Sequence, residues 1–257
     1  MRVCGTPRLA LVPKKCTVFN AISLQLCIFY QSRKLTEVAA VNSKPSDKVT
    51  RASYDQIALD YLDRHRNRTG YFKDFKTFSS LLKAPAIVLD IGSGPGIEAA
   101  QLKKIGFEVV CVDLSLSMLT VGAAEYPALR VQADMRSLPI SQVVGGIWAA
   151  ASLHHLERQH VPNTLKEFSN TLVAGGILYL CVKQGVGSKW DSRYGESAPR
   201  FFTFWKLDDL ALLLSQAGFE IVNKETSRPE DETWISLWAR KIGPTRPQRR
   251  RVGNSQF

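Results

Sequence analysis

Val88-Leu89-Asp90-Ile91-Gly92-Ser93-Gly94-Pro95-Gly96 places three alternate glycines between an apolar, β-branched run and a segment of helix formers. Ala86 to Ile91 (AIVLDI) reads as a buried parallel strand, and Ile97 to Gly106 (IEAAQLKKIG) as a helix closed by glycine. So sharp a strand-to-helix turn needs backbone angles that only glycine adopts at little cost, and any Cβ would hold a ligand away from the main chain. The start of the helix adds unpaired N–H groups and a positive dipole end. The stretch therefore reads as a ligand cradle.

Its spacing separates it from the dinucleotide fingerprint. That fingerprint is G-x-G-x-x-G, whereas this chain has G-x-G-x-G. Asp90 stands where a carboxylate meets a ligand ammonium. The next apolar run, Phe107 to Val112 (FEVVCV), ends in Asp113, at about the 20-residue distance of an acid that grips ribose hydroxyls. A third run, Leu129 to Ala133, ends in Asp134. Three successive strands ending in Asp90, Asp113 and Asp134 would line one edge of a parallel sheet, where open α/β folds bind ligands.

The ordered set DIGSGPG, Asp113, Gln132 to Asp134, and ASLHHL at Ala151 to Leu156 resembles the class I S-adenosylmethionine-dependent methyltransferases. The likeness runs over residues 50 to 241. Within the family it is nearest to small bacterial-type methyltransferases, through Gly146 to His155, Arg200 to Trp205, Leu207 to Phe219 and Trp234 to Lys241. The resemblance implies an α/β fold: a Rossmann-like doubly wound sheet of about seven strands, mostly parallel, with an N-terminal helical cap. It implies S-adenosyl-L-methionine as cofactor, with Gly92, Gly94 and Gly96 around its methionine part, Asp90 beside them, Asp113 on the ribose, and Asp134 with Met135 flanking the adenine. One position departs from the pattern. Such proteins carry Asp before Gly-Ile-Trp, where this chain has Gly145, which puts the anchoring of the fourth strand in question.

Tyr54, Ile57, Ala58, Tyr61 and Leu62 recur at helical spacing, followed by Phe72, Phe75 and Phe78. These segments are expected to form the cap over the cofactor edge. Tyr61, or Tyr54, would reach the methionine end, as in similar methyltransferases, unless it only packs. His154 and His155 follow the fourth strand beside the expected methyl position, so either is a candidate general base, against a role in packing or in capping the helix that starts near Val161. Tyr194, Arg200, Phe202 and Trp205 lie in the insertion that usually builds the acceptor pocket. Tyr194, Arg200 and Trp205 are the acceptor-binding candidates, against plain packing and surface charge.

Composition bounds the remainder. The 257 residues, 45% hydrophobic, suffice for one full core. The net charge of +11 is confined to the ends: residues 1–40 carry +5 and residues 240–257 carry +6, leaving 22 basic and 22 acidic side chains between them. A balanced body favours a small-molecule acceptor over nucleic acid, whose phosphates call for clustered Lys and Arg. Two rival readings stand beside it. One is a tRNA methyltransferase acting on wobble uridine, resembled through SLHHL, Ala174-Gly175-Gly176 and Asp231-Glu232-Thr233-Trp234. The other is a non-catalytic cofactor-binding protein. Residues 1–45 read as an extension, either an organelle (mitochondrion or plastid) transit peptide or a disordered segment; without a transit peptide the protein would be cytoplasmic. Val18 to Tyr30 is too short to span a bilayer comfortably. Residues 46–241 form the catalytic domain and 242–257 a basic disordered tail. Five cysteines, with no C-x-x-C pair and no zinc spacing, point to a reduced compartment and no structural metal.

Overall fold

A computed structural model of the chain describes residues 45–243 apart from 69, 84, 141–142 and 230–231. The expected transit segment and nearly all of the basic tail, with Cys4, Cys16, Cys27 and Asp231, lie outside the described residues.

The elements are α1 (Pro45–His65), α2 (Phe72–Leu81), β1 (Ile87–Ile91), α3 (Ile97–Lys104), β2 (Glu108–Asp113), α4 (Leu116–Val121), β3 (Leu129–Gln132), β4 (Val144–Ala150), α5 (Val161–Thr171), β5 (Leu172–Lys183), β6 (Ser188–Asp191), β7 (Arg200–Thr203), α6 (Leu207–Gln216), β8 (Phe219–Ser227) and β9 (Trp234–Lys241). Seven strands form one sheet in the order β3-β2-β1-β4-β5-β9-β8. β1 to β5 pair in parallel, and β9 runs antiparallel between β5 and β8. This is the doubly wound, mostly parallel sheet expected. Its strand order reverses between β1 and β4, so the crevice beyond their carboxyl ends is where such a sheet binds ligands.

Alternation along the central strands divides the core between the two faces. Leu89, Ile147, Leu178 and Leu180 pack beneath Leu165 and Phe168 of α5 and Leu210 and Leu214 of α6. Val88, Trp148 and Tyr179 face the other way, toward Phe75, Phe78 and Leu102. Trp148 is sandwiched between Phe75, at 4.4 Å between ring centroids, and Tyr179, at 3.9 Å. Here the helical cap divides. α1 closes the ligand edge, but Phe75 and Phe78 of the second aromatic group, on α2, build the core under Trp148 instead, and Phe72 is exposed. Phe75 and Phe78 are too apolar to stand over a polar crevice when a tryptophan face is available.

Gly145 leaves the fourth strand anchored. The β4–β5 register shifts between Val144 and Gly146, while Val88, Leu89 and Asp90 still pair with Gly146, Ile147 and Trp148. A Cβ at Gly145 would stand 3.0 Å from the Ala86 Cβ, so the strand passes close to its neighbour at the position where an acid was expected. β6 and β7 form a separate antiparallel hairpin inserted after β5. Among the described residues, no helix is long and apolar enough to cross a membrane.

Candidate active site

A cleft enclosing about 1020 Å3, open solvent included, lies at the carboxyl ends of β1, β2 and β4 under α1. Its floor is the glycine turn. Gly92, Gly94 and Gly96 have φ of +69°, +54° and +95°, the left-handed region that favours glycine. A Cβ at Gly92 would lie 2.3 Å from the Ser152 Cβ, so this glycine lets the segment after β4 close onto the turn. Ala151 makes the matching bend at φ +52°, a strained angle for a residue with a Cβ. Gly92 and Gly94 line the cleft, whereas Gly96 does not. Gly96 is the N-cap of α3, and its missing Cβ admits the Arg130 guanidinium, 3.0 Å from where that Cβ would be. Arg130 donates to the carbonyls of Pro95, Gly122 and Tyr126, fixing the turn from behind. The third glycine therefore serves the turn, not the ligand face.

The three strand-end acids all line the cleft, in different states. Asp90 is buried and its Oδ2 has no hydrogen-bond partner among the described residues. Burial, with the Glu98 and Asp113 carboxylates nearby, holds its carboxyl well above the usual range. Asp113 accepts the Gly94 N–H at 2.9 Å on one oxygen and the Ser115 N–H at 2.8 Å on the other. Burial pushes that carboxyl up too, and those two donors pull it back. Asp134 is held by Arg136, whose Nε and Nη2 reach its two oxygens at 3.0 and 2.6 Å while the Arg136 N–H adds a third donor. Since a carboxylate offers about four acceptor sites, little capacity remains at Asp134 for a ligand amino group. Met135 lines the cleft beside it.

Arg136 also reaches Asp47 of α1 at 2.6 Å, and the three side chains are 9%, 4% and 12% exposed. This buried ion-pair group ties α1 to the β3 end of the cleft. Asp55 ties it again, accepting the Ser115 hydroxyl at 2.6 Å and the Ser117 N–H at 3.3 Å. Sequence reasoning singled out none of Asp47, Asp55, Arg130 or Arg136, because each acts through a partner distant in the chain. It also passed over Arg68 and Glu98, which face the cleft as an ion pair with N and O 2.5 Å apart. Tyr61 lines the cleft as expected, packed edge-on to Tyr54, which lines it too.

The two histidines separate. His155 lines the cleft, with Nε2 2.9 Å from the Tyr54 hydroxyl and Nδ1 2.7 Å from the Phe201 carbonyl. Burial and the Arg200 charge lower its pKa to about 4, against the pull of the Phe201 hydrogen bond. His154 is buried among His155, Phe202 and Trp234 and does not line the cleft. Burial drops its pKa well below the ordinary imidazole value, and its ring packs away from the cleft.

The insertion candidates stand behind the cap instead of in the cleft. Trp205 is fully buried in the core against Leu210 and its neighbours, with Arg158 over its ring, and no acceptor can touch it. Arg200 is paired with Asp191 at 2.8 Å in the hairpin and extends toward the Tyr54 hydroxyl at 3.5 Å. Tyr194 bonds His65 through its hydroxyl at 2.9 Å and stacks on Tyr61. The cause is α1: Ser53 donates to the Pro199 carbonyl and Thr50 accepts the Phe201 N–H, so the hairpin docks on the helix and the helix faces the ligand. Thr50 and Tyr54 occupy the wall that Tyr194, Arg200 and Trp205 were expected to form.

The donor set fits the expected cofactor. A buried carboxyl with no partner suits an ammonium, an acid fixed by two N–H groups suits a diol, and the left-handed glycines admit close backbone approach. Among the described residues, no group of His, Cys, Asp and Glu is placed to hold a metal ion.

A family described as a methyltransferase domain matches residues 89–180, from β1 into β5. The biotin biosynthesis bifunctional protein BioHC of Cellvibrio japonicus is 30% identical over 142 residues, which cover 50% of this chain and 24% of that protein. The chain thus spans about a quarter of the length of the curated relative it matches. Among solved structures, the 1,6-didemethyltoxoflavin-N1-methyltransferase of Burkholderia thailandensis, with bound 1,6-didemethyltoxoflavin and S-adenosylhomocysteine, superposes with a TM-score of 0.65 at 22% identity, covering 80% of this chain and 94% of that one. The [4+2]-cyclase SpnF superposes with a TM-score of 0.63 at 16% identity, covering 78% and 98%. The domain match lies over the glycine turn and the parallel strands that carry the cleft, so residues 89–180 match a methyltransferase domain, on a fold shared with solved S-adenosylmethionine-dependent methyltransferases.

Proposed function

We propose that this protein transfers the methyl group of S-adenosylmethionine to a small-molecule acceptor. The observation that carries the reading is the buried, unpartnered Asp90 carboxyl beside the Gly92–Gly94 turn, in one cleft with Asp113. When bound, the cofactor supplies a methyl group already activated on a sulfonium sulfur. The protein's part is placement and exclusion of water. Asp90 would take the ammonium and become ionised by it, Asp113 the ribose hydroxyls, and Met135 the adenine face. Tyr61 and the rest of α1 shut the cleft from solvent. The acceptor would lie where Thr50, Tyr54, His155 and Leu156 line the cleft, its lone pair toward the methyl carbon.

A small acceptor is supported by the balanced charge of residues 41–239 and by the small-molecule ligand of the Burkholderia neighbour. The presence of a cyclase on the same fold makes methyl transfer itself, and not binding alone, the property to measure.

Calorimetry with S-adenosylhomocysteine tests the cofactor half of this reading. Asp90→Asn keeps the shape and removes the charge, so affinity should fall by roughly 1.5 to 3 kcal/mol, on the order of 10-fold to 100-fold. Equal affinity in the wild type and the variant removes Asp90 from the site, and no binding by the wild type removes the function.

A further inference from the structure

We infer that the Tyr54 oxygen is held as a hydrogen-bond acceptor facing the methyl acceptor, so that the site selects a nucleophile bearing an N–H or O–H. The inference rests on the proposed methyltransferase reading and narrows its substrate class.

It follows from one carbonyl. The Phe201 oxygen, 2.7 Å from His155 Nδ1, can only accept, so Nδ1 carries the ring hydrogen. His155 is neutral near pH 7, because burial and Arg200 hold its pKa at about 4. A neutral ring with hydrogen on Nδ1 has a bare lone pair on Nε2. The group 2.9 Å from that lone pair is the Tyr54 hydroxyl, which must therefore donate. With its one hydrogen spent, the phenol oxygen can only accept. Arg200 Nη1, at 3.5 Å, stands at the limit of a hydrogen bond to it. Acceptor capacity is therefore left toward the cleft that Tyr54 and His155 both line.

Burial also raises the Tyr54 hydroxyl above the usual phenol value, so it stays a neutral phenol. The Nε2 lone pair of His155 is spent on Tyr54, so His155 acts on the acceptor's hydrogen through the phenol. It is a positioning residue, and the Arg200–Asp191 pair, 2.8 Å apart, fixes the far side of the phenol. An amine, phenol or similar protic nucleophile would find its hydrogen accepted and its lone pair oriented. A tertiary amine or a thioether would meet a phenol oxygen with no hydrogen to give.

The test uses the full chain with S-adenosylmethionine and two probe panels: phenols, anilines and primary amines against tertiary amines and thioethers. The wild type should methylate the protic panel at least 10-fold faster by kcat/KM. Tyr54→Phe should erase that preference, mainly through KM, while S-adenosylhomocysteine binding is kept. His155→Gln, which retains an oxygen acceptor for the hydroxyl, should recover more of the preference than His155→Leu. Equal rates on the two panels, or a preference that survives Tyr54→Phe, overturns the inference.

If neither panel is turned over, 15N NMR of the S-adenosylhomocysteine complex at pH 7 decides. His155 Nε2 should be unprotonated, and its resonance should move in Tyr54→Phe. A hydrogen on Nε2 overturns the inference. Absence of S-adenosylhomocysteine binding by the wild type instead defeats the methyltransferase reading, so the two failures are distinct.

Discussion

Asp90 shows how a single residue sets function against stability. Its folded-state pKa lies well above the 3.8 of an unperturbed aspartate, chiefly through burial. A group raised in this way contributes its full stability below the unfolded value, and that contribution is lost as pH rises through the folded value. The charged form is therefore a burden to the ligand-free protein near neutral pH. Asp90→Asn should melt with the wild type near pH 4 and above it by a margin that grows toward pH 8, while it weakens S-adenosylhomocysteine binding. Melting curves across that range check this, and a variant less stable than the wild type at pH 8 contradicts it. Gly92 behaves differently, because its constraint is steric. Gly92→Ala places a Cβ 2.3 Å from that of Ser152 at φ +69° and should cost at least 1 to 3 kcal/mol, roughly the strain of a left-handed non-glycine residue. Ser152→Gly in the same chain should return part of the loss. Denaturant titration of the single and double variants measures it, and full additivity would show that the two residues do not meet.

Among the elements, α1 decides what the cleft becomes. Arg136 joins it to the β3 end through Asp47 and Asp134, with all three side chains nearly buried. Removing the cation leaves two acids uncompensated, so Arg136→Met should destabilise by about 3 to 5 kcal/mol and loosen α1. Hydrogen exchange should rise in residues 45–65 more than in β1 or β4. Uniform exchange along the chain would mean that α1 is held without this pair. The same helix explains where the sequence could be read and where it could not. The glycine turn and Asp113 are legible because their constraints are local: left-handed angles, and an acid at the end of its own strand. Arg136 meets Asp47 across 89 positions, Tyr54 meets His155 across 101, and Phe201 meets His155 across 46. Periodicity marks Tyr54 and Tyr61 as one helical face but gives no sign of what that face meets. Trp205 looked like an acceptor residue by position in the insertion, and only the packing of α6 and the sheet shows it to be core. His154 and His155 are adjacent in sequence, yet one turn of 3-10 helix over Leu153–His155 buries the first and leaves the second facing the cleft.

At the scale of the whole molecule, charge and core separate. The basic excess lies in residues 1–40 and 240–257, while the cleft is built wholly from residues 47–156. We propose that the first 44 residues are dispensable for folding and for cofactor binding. A chain beginning at Pro45 should melt cooperatively and bind S-adenosylhomocysteine with the affinity of the full chain; loss of either would make the removed segment part of the domain and end the transit-peptide reading. The most direct measurement is transfer of a labelled methyl group from S-adenosylmethionine by the full chain, offered a metabolite extract and bulk tRNA in parallel, at low and high salt. Label should appear in the small-molecule fraction, depend on Asp90, and vary little with salt. Label confined to tRNA with a steep salt dependence, or no transfer to either pool by a protein that binds the cofactor, would contradict the proposed function.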